Sequence, residues 1–293
     1  DGAGEMFEPN PIQAKLLKAI QNIACDSQRL IEQSRTADNH QSSTALVHLD
    51  ISRRTRENLE ALAAAVGVPK SVIDYTRAAG ERGHRWRPGQ PLLSTETIDR
   101  DTLLTGHAGS VWQLQTMAGV GAAIAQQGTL PRNGFEAFRR VMGVSWQRVG
   151  AVGHALDLTE TQRRHAWEPT NRPWTDRVAE TVGTLQRSAL KTRWRGIVET
   201  NFVAVSMPVS VLTAAGVTPD DITAQLPVLP DRMVELAALA LEPHPTVGEV
   251  FGTDIAAAVE ATGSDSHTEP EPDDHTAGPE PGRRGGPAVG HDP

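Results

Sequence analysis

"LEALAAAVGVPKSVIDYTRAA", residues 59–79, reads as two helices that meet at a single glycine. The alanine-rich run ending at Val66 completes a helix over residues 52–66, and a second helix leads out over 69–79. Gly67 can take the positive φ that a tight corner between helices requires. Leu62, Ala63, Val66, Val68 and Ile73 place apolar groups on both sides of it. A chain that repeats such units is all-α.

Helical periodicity continues in both directions. Ile12, Leu16, Ile20, Ile23, Leu30 and Ile31 form one apolar stripe over residues 11–34, with Pro11 near its start. "TALVHLDIS", residues 44–52, alternates like a strand, yet no second strand-like run lies nearby to pair with it, so it stays unassigned or helical. A long helix is expected over 99–127, broken by "PRNG" at 131–134, and shorter ones over 135–142, 145–156 and 159–166. Thr159 with Gln162 makes a capping box for the last of these. Beyond "EPTNRP" one broad apolar face, from Val178 to Val198, predicts a helix over 175–206. Prolines then divide the chain into short helices, one of them opened by Thr218, Pro219 and Asp221.

The fold expected is an all-α, multi-helix core of orthogonal or bundle-like packing, with no sheet of three or more strands. Its divisions are an N-terminal helix (1–45), a corner unit with a basic arm (46–90), helical domains at 91–168 and 169–262, and a tail at 263–293. That tail is rich in Gly, Pro, Asp and Glu, cannot offset its ordering entropy by burial, and is expected to be disordered.

Residues 59–79 resemble the generic bacterial helix-turn-helix, over about twenty residues of the 293. Ala63 stands where the second helix would cross the first, Gly67 in the turn, and Ile73 on the inner face of the second helix. The resemblance implies that Lys70, Ser71 and Arg77 face a DNA groove. Asp74 and Thr76 depart from the pattern, the first because a carboxylate repels phosphate, the second because an aliphatic residue is usual there. The following "RAAGERGHRWRP", residues 77–88, supplies Arg82, Arg85 and Arg87 to track a phosphate backbone. The alternative is a plain packed corner. Its skeleton recurs in "GVSWQRV" from Gly143 and "GVTPDDI" from Gly216, which raises the possibility of a duplicated helical unit.

Charge supports an anionic partner only locally. The net charge is -8, but residues 50–90 carry eight basic and five acidic side chains, and residues 132–200 carry twelve and seven. Arginine outnumbers lysine 24 to 4, a bias that points to a high-GC bacterial genome. Cys25 is the only cysteine, on an apolar helix face, so paired-cysteine metal sites and internal disulfides are excluded. The histidines show no i, i+4 ligand pair, and "AGVGAAIA" at 118–125 reads as close helix packing rather than a dinucleotide loop. No catalytic constellation, metal or cofactor is indicated. Trp194 shares a helix with Arg187, Lys191, Arg193 and Arg195, either as a packing anchor or as part of an arginine-rich binding surface.

Without an apolar run long enough to span a bilayer or an N-terminal secretory pattern, the expected address is cytoplasmic. The favoured reading is DNA binding in a regulatory or mobile-element maintenance role. Its alternative is a helical adaptor or scaffold that binds protein, another protein or a second copy of itself, with no nucleic-acid contact.

Overall fold

A computed structural model describes residues 5–36, 43–128 and 132–242 of the chain. The helices expected beyond 242 and the tail at 263–293 lie outside the described residues. Asp1–Pro243 form one compact unit, within which the divisions expected at residues 45, 90 and 168 fall.

Helix α1, Pro11–Thr36, starts in a capping box that closes two orphan amides: Gln13 N–H donates to Asn10 Oδ1 at 2.9 Å, and Asn10 N–H to Gln13 Oε1 at 3.0 Å. Its stripe buries Leu16, Leu17, Ile20, Ala24 and Cys25. Helix α2, Ser43–Ala65, takes in "TALVHLDIS". A strand there would have no partner, whereas in a helix Asp50 reaches Arg53 at 2.9 Å and Arg54 at 2.8 Å. Helix α3, Lys70–Glu81, follows the corner.

Strands β1, Glu5–Met6, and β2, Leu93–Ser94, form an antiparallel pair with Glu5 opposite Ser94, and no larger sheet exists among the described residues. Helix α4, Arg100–Gln126, is N-capped by Asp99, whose side chain accepts from the amides of Asp101 and Thr102. It packs against most of the later helices. The glycines of "AGVGAAIA" let neighbours approach its backbone. A Cβ on Gly119 would lie 2.2 Å from Val178 Cγ1, and one on Gly121 would lie 2.4 Å from Phe138 Cζ.

Two helices expected over 135–142 and 145–156 are one, α5, Arg132–Ala155, so Gly143 is no corner. Phe138, Met142, Val149 and Val152 bury a continuous stripe, and that burial outweighs the roughly 1 kcal/mol that a mid-helix glycine costs. Helix α6, Glu160–Trp167, opens on the expected capping box of Thr159 and Gln162.

The single helix expected over 175–206 is instead three: α7, Trp174–Gly183, α8, Arg187–Val198, and α9, Phe202–Ala214. Its apolar residues serve different neighbours, since Val178 and Val182 meet Gly119 whereas Trp194 stacks on Phe138 at 5.0 Å. Asn201 restarts the chain by accepting from the Ala204 amide at 3.0 Å. The short α10, Pro219–Thr223, begins at the expected Thr218 and Asp221 capping box, and α11, Pro230–Leu241, ends the described chain.

Two of the three glycine corners are real. Gly67 and Gly216 have φ of +85° and +101°, and in each case the next amide closes back on the helix, Val68 N–H to Ala63 O at 2.9 Å and Val217 N–H to Leu212 O at 3.1 Å. The same closure follows α5 through Asp157, at φ +49°, with Leu158 N–H donating to Gly153 O at 3.3 Å. A search for Gly-Val misses this corner because aspartate replaces the glycine.

Candidate functional site

The helix α3 is oriented inward as its apolar spacing predicts, with Val66, Val68 and Ile73 at most 5% exposed. It packs mainly on α1 and meets α2 less extensively. Ala63 is fully buried, and the tightest approach made by α3 lies at Gly80 against α1, where a Cβ would sit 2.3 Å from Gln21 O. The corner is enclosed too. Gln13 donates to Val66 O at 2.9 Å, and Leu103 Cδ1 lies 3.2 Å from where a Cβ on Gly67 would project.

A reading helix presents its N-terminal residues to base edges. Here that end is already occupied by an acid, because Glu96 Oε2 accepts from the Lys70 amide at 2.8 Å. Ser71, expected to face a groove, is partly covered, its hydroxyl 3.3 Å from that of Ser94. Replacing Glu96 with Ala should cost about 1 kcal/mol through the lost cap. Hydrogen exchange should show it as faster exchange at Lys70 and Ser71, and unchanged protection there would refute the cap.

The two basic side chains of α3, together with Arg56 of α2, are met by an equal number of acids. Lys70 pairs with Asp74, Arg77 with Asp74 at 2.9 Å and Glu60 at 3.3 Å, and Arg56 with Glu60 and Glu81, both at 3.4 Å. The hydrogen bond from Lys70, and then the charges of Lys70 and Arg77, hold the Asp74 carboxyl below the usual range. Burial pushes Glu60 the other way, against the pull of Arg77 and Arg56. Three cations and three carboxylates leave this face without net charge.

After α3 the arm is pinned to α1. Cys25 Sγ lies 3.3 Å from Gly83 O, Gln21 Nε2 donates to His84 O at 3.0 Å, and the Trp86 amide donates to Asn22 Oδ1 at 3.2 Å. Arg85 pairs with Asp26 of α1. Arg82 and Arg87 project from the arm as exposed side chains. Thus the structure gathers Lys70 and Arg77 into one ionic network, holds Arg85 on a different partner, and leaves Arg82 and Arg87 facing outward.

A larger open cationic surface lies on α8. Leu190 and Trp194 turn inward, at 4% and 7% exposure, which makes Trp194 a packing anchor. Arg187, Lys191 and Arg195 stand outward in one line at i, i+4 and i+8, and Arg193 is exposed on a different face of the helix. The carboxylate nearest Arg195 is that of Glu199, at 3.9 Å, and no ion pair neutralises the other three within the described residues. Across a 57° bend, α9 continues with exposed Phe202, Val203 and Met207. The four cations were legible in the sequence, but the absence of an acid partner for Arg187, Lys191 and Arg193 among the described residues was not. No single helix of the described residues is long and apolar enough to cross a membrane.

Comparison of the chain with protein-family models, curated proteins and solved structures finds no match in any of the three.

Proposed function

We propose that this protein is a helical adaptor that binds an acidic, partly apolar segment of another protein on the surface formed by α8 and α9. The carrying observation is the exposed line of Arg187, Lys191 and Arg195, of which only Arg195 has a carboxylate within 4 Å, that of Glu199 at 3.9 Å. Like charges at i and i+4 disfavour a helix by a few tenths of a kcal/mol per pair, and the packing of α8 is supplied by Leu190 and Trp194, so the fold itself gains nothing from them. Phe202, Val203 and Met207, exposed on α9 just after the bend, add residue types that protein interfaces favour and phosphate backbones do not reward.

A second reading, contact with the DNA backbone in a regulatory or mobile-element role, rests on Arg82 and Arg87, which face outward from the arm. The neutral face of α3 and the Glu96 cap favour the adaptor over this reading.

Fluorescence anisotropy separates the two. One probe is a labelled amphipathic peptide with glutamate on its polar face and leucine on the other, and the second is a labelled DNA duplex. Reversing Arg187, Lys191 and Arg195 to Glu should weaken the peptide by roughly 10- to 30-fold. Tighter binding of the duplex than of the peptide at physiological salt, with a salt slope that falls when Arg82 and Arg87 become Ala, would reverse the assignment.

A further inference from the structure

Arg148 stands on α5, part-buried beside Asn58 of α2 and Gln113, Leu114 and Met117 of α4, and it differs from Arg56 and Arg77 in having no carboxylate partner. Arg56 and Arg77 are each met by two or more carboxylates. Arg148 instead donates to the neutral Asn58 Oδ1, at 3.2 Å, and burial lowers its affinity for its proton with no acid acting in the opposite direction. A guanidinium cannot shed its charge at any ordinary pH, so its desolvation stays uncompensated until an anion arrives.

A cavity of about 200 Å³ opens beside it. Ser110 lines it, but that hydroxyl is committed to Gly106 O at 3.0 Å. Ser145 and Gln113 line it with donors that no other described residue takes. Leu114, Met117 and Val149 form an apolar wall. The space suits roughly six or seven water-sized groups. We propose that this cavity binds a short-chain carboxylate, with its head on Arg148, Ser145 and Gln113 and its hydrocarbon stem against Leu114, Met117 and Val149. A planar carboxylate matches the guanidinium fork, and the wall rewards a stem that inorganic anions lack. This site is independent of the α8 and α9 surface.

Thermal unfolding of the full chain tests it, with sodium butyrate as probe and sodium chloride holding ionic strength constant. Butyrate at ten times its dissociation constant should raise Tm by about 3–6 °C. The neutral isostere butyramide should give no rise, inorganic phosphate a smaller one than butyrate, and Arg148→Met should abolish the response. In the unmodified protein, butyrate should also protect Arg148 from phenylglyoxal, read by peptide mass, which keeps the test decisive if Arg148→Met does not fold. No response to butyrate, an equal response to butyramide, or a response retained in Arg148→Met would overturn the site. A phosphate response as large as that of butyrate would overturn the carboxylate assignment.

Discussion

Gly80→Ala is expected to destabilise the protein by about 3 kcal/mol, because the new methyl has no space to enter. Its carbon would lie 2.3 Å from Gln21 O and 2.6 Å from Ala24 Cβ, and the first of these is backbone on α1, which cannot rotate aside. α1 and α3 would have to separate along their crossing. That movement would also disturb the hydrogen bond from Gln21 to His84 O. The matched control is Gly196→Ala on α8, where nothing lies within 4 Å of the added carbon. There the substitution should stabilise by roughly 0.5–1 kcal/mol, since alanine lowers the entropy of the unfolded chain. Urea midpoints at constant m-value would measure both. Equal and small changes at the two positions would refute the close crossing.

Acidification should weaken the fold through His107. Burial lowers its pKa from 6.5 to about 4, and its Nδ1 has no hydrogen-bond partner. Between those values the unfolded chain binds the proton and the folded chain does not. Stability from the neutral, buried ring is therefore fully present above about pH 6.5 and is lost as the pH falls toward 4, by about 3 kcal/mol in all. Glu60 contributes in the opposite sense, since burial raises its carboxyl pKa and its proton favours the folded state. His107→Leu isolates the histidine. At pH 7 it should cost little, because no partner is left behind, and between pH 6.5 and 4 it should flatten the decline in urea midpoint. Parallel curves for the two proteins would show that His107 is not the group responsible.

Local features were legible because their causes lie within a turn or two of chain. Thr159 and Gln162 cap α6, Thr218 and Asp221 cap α10, and Gly67 closes α2, each as the spacing indicates. The failures also have a local form. Gly143 resembles Gly67 in sequence, yet the residues around it have a continuous apolar stripe to bury and the helix runs on. The apolar face from Val178 to Val198 looked like one helix because periodicity does not say that its two ends pack on different neighbours.

By itself the sequence determined that this chain is helical, where several of its helices start and stop, and that Val66, Val68 and Ile73 turn inward at the corner. Capping, φ preference and apolar spacing act over a few residues, so they can be read without knowing what lies opposite. Only the tertiary structure decided which charges are free. Glu96 reaches the start of α3 from 26 residues away, Glu60 meets Arg77 across 17, and Asp26 meets Arg85 across 59, while α8 is left without such partners and Arg148 is enclosed without an acid. An ion pair depends on distances of a few ångströms between side chains from separate helices, and composition carries no information about those distances.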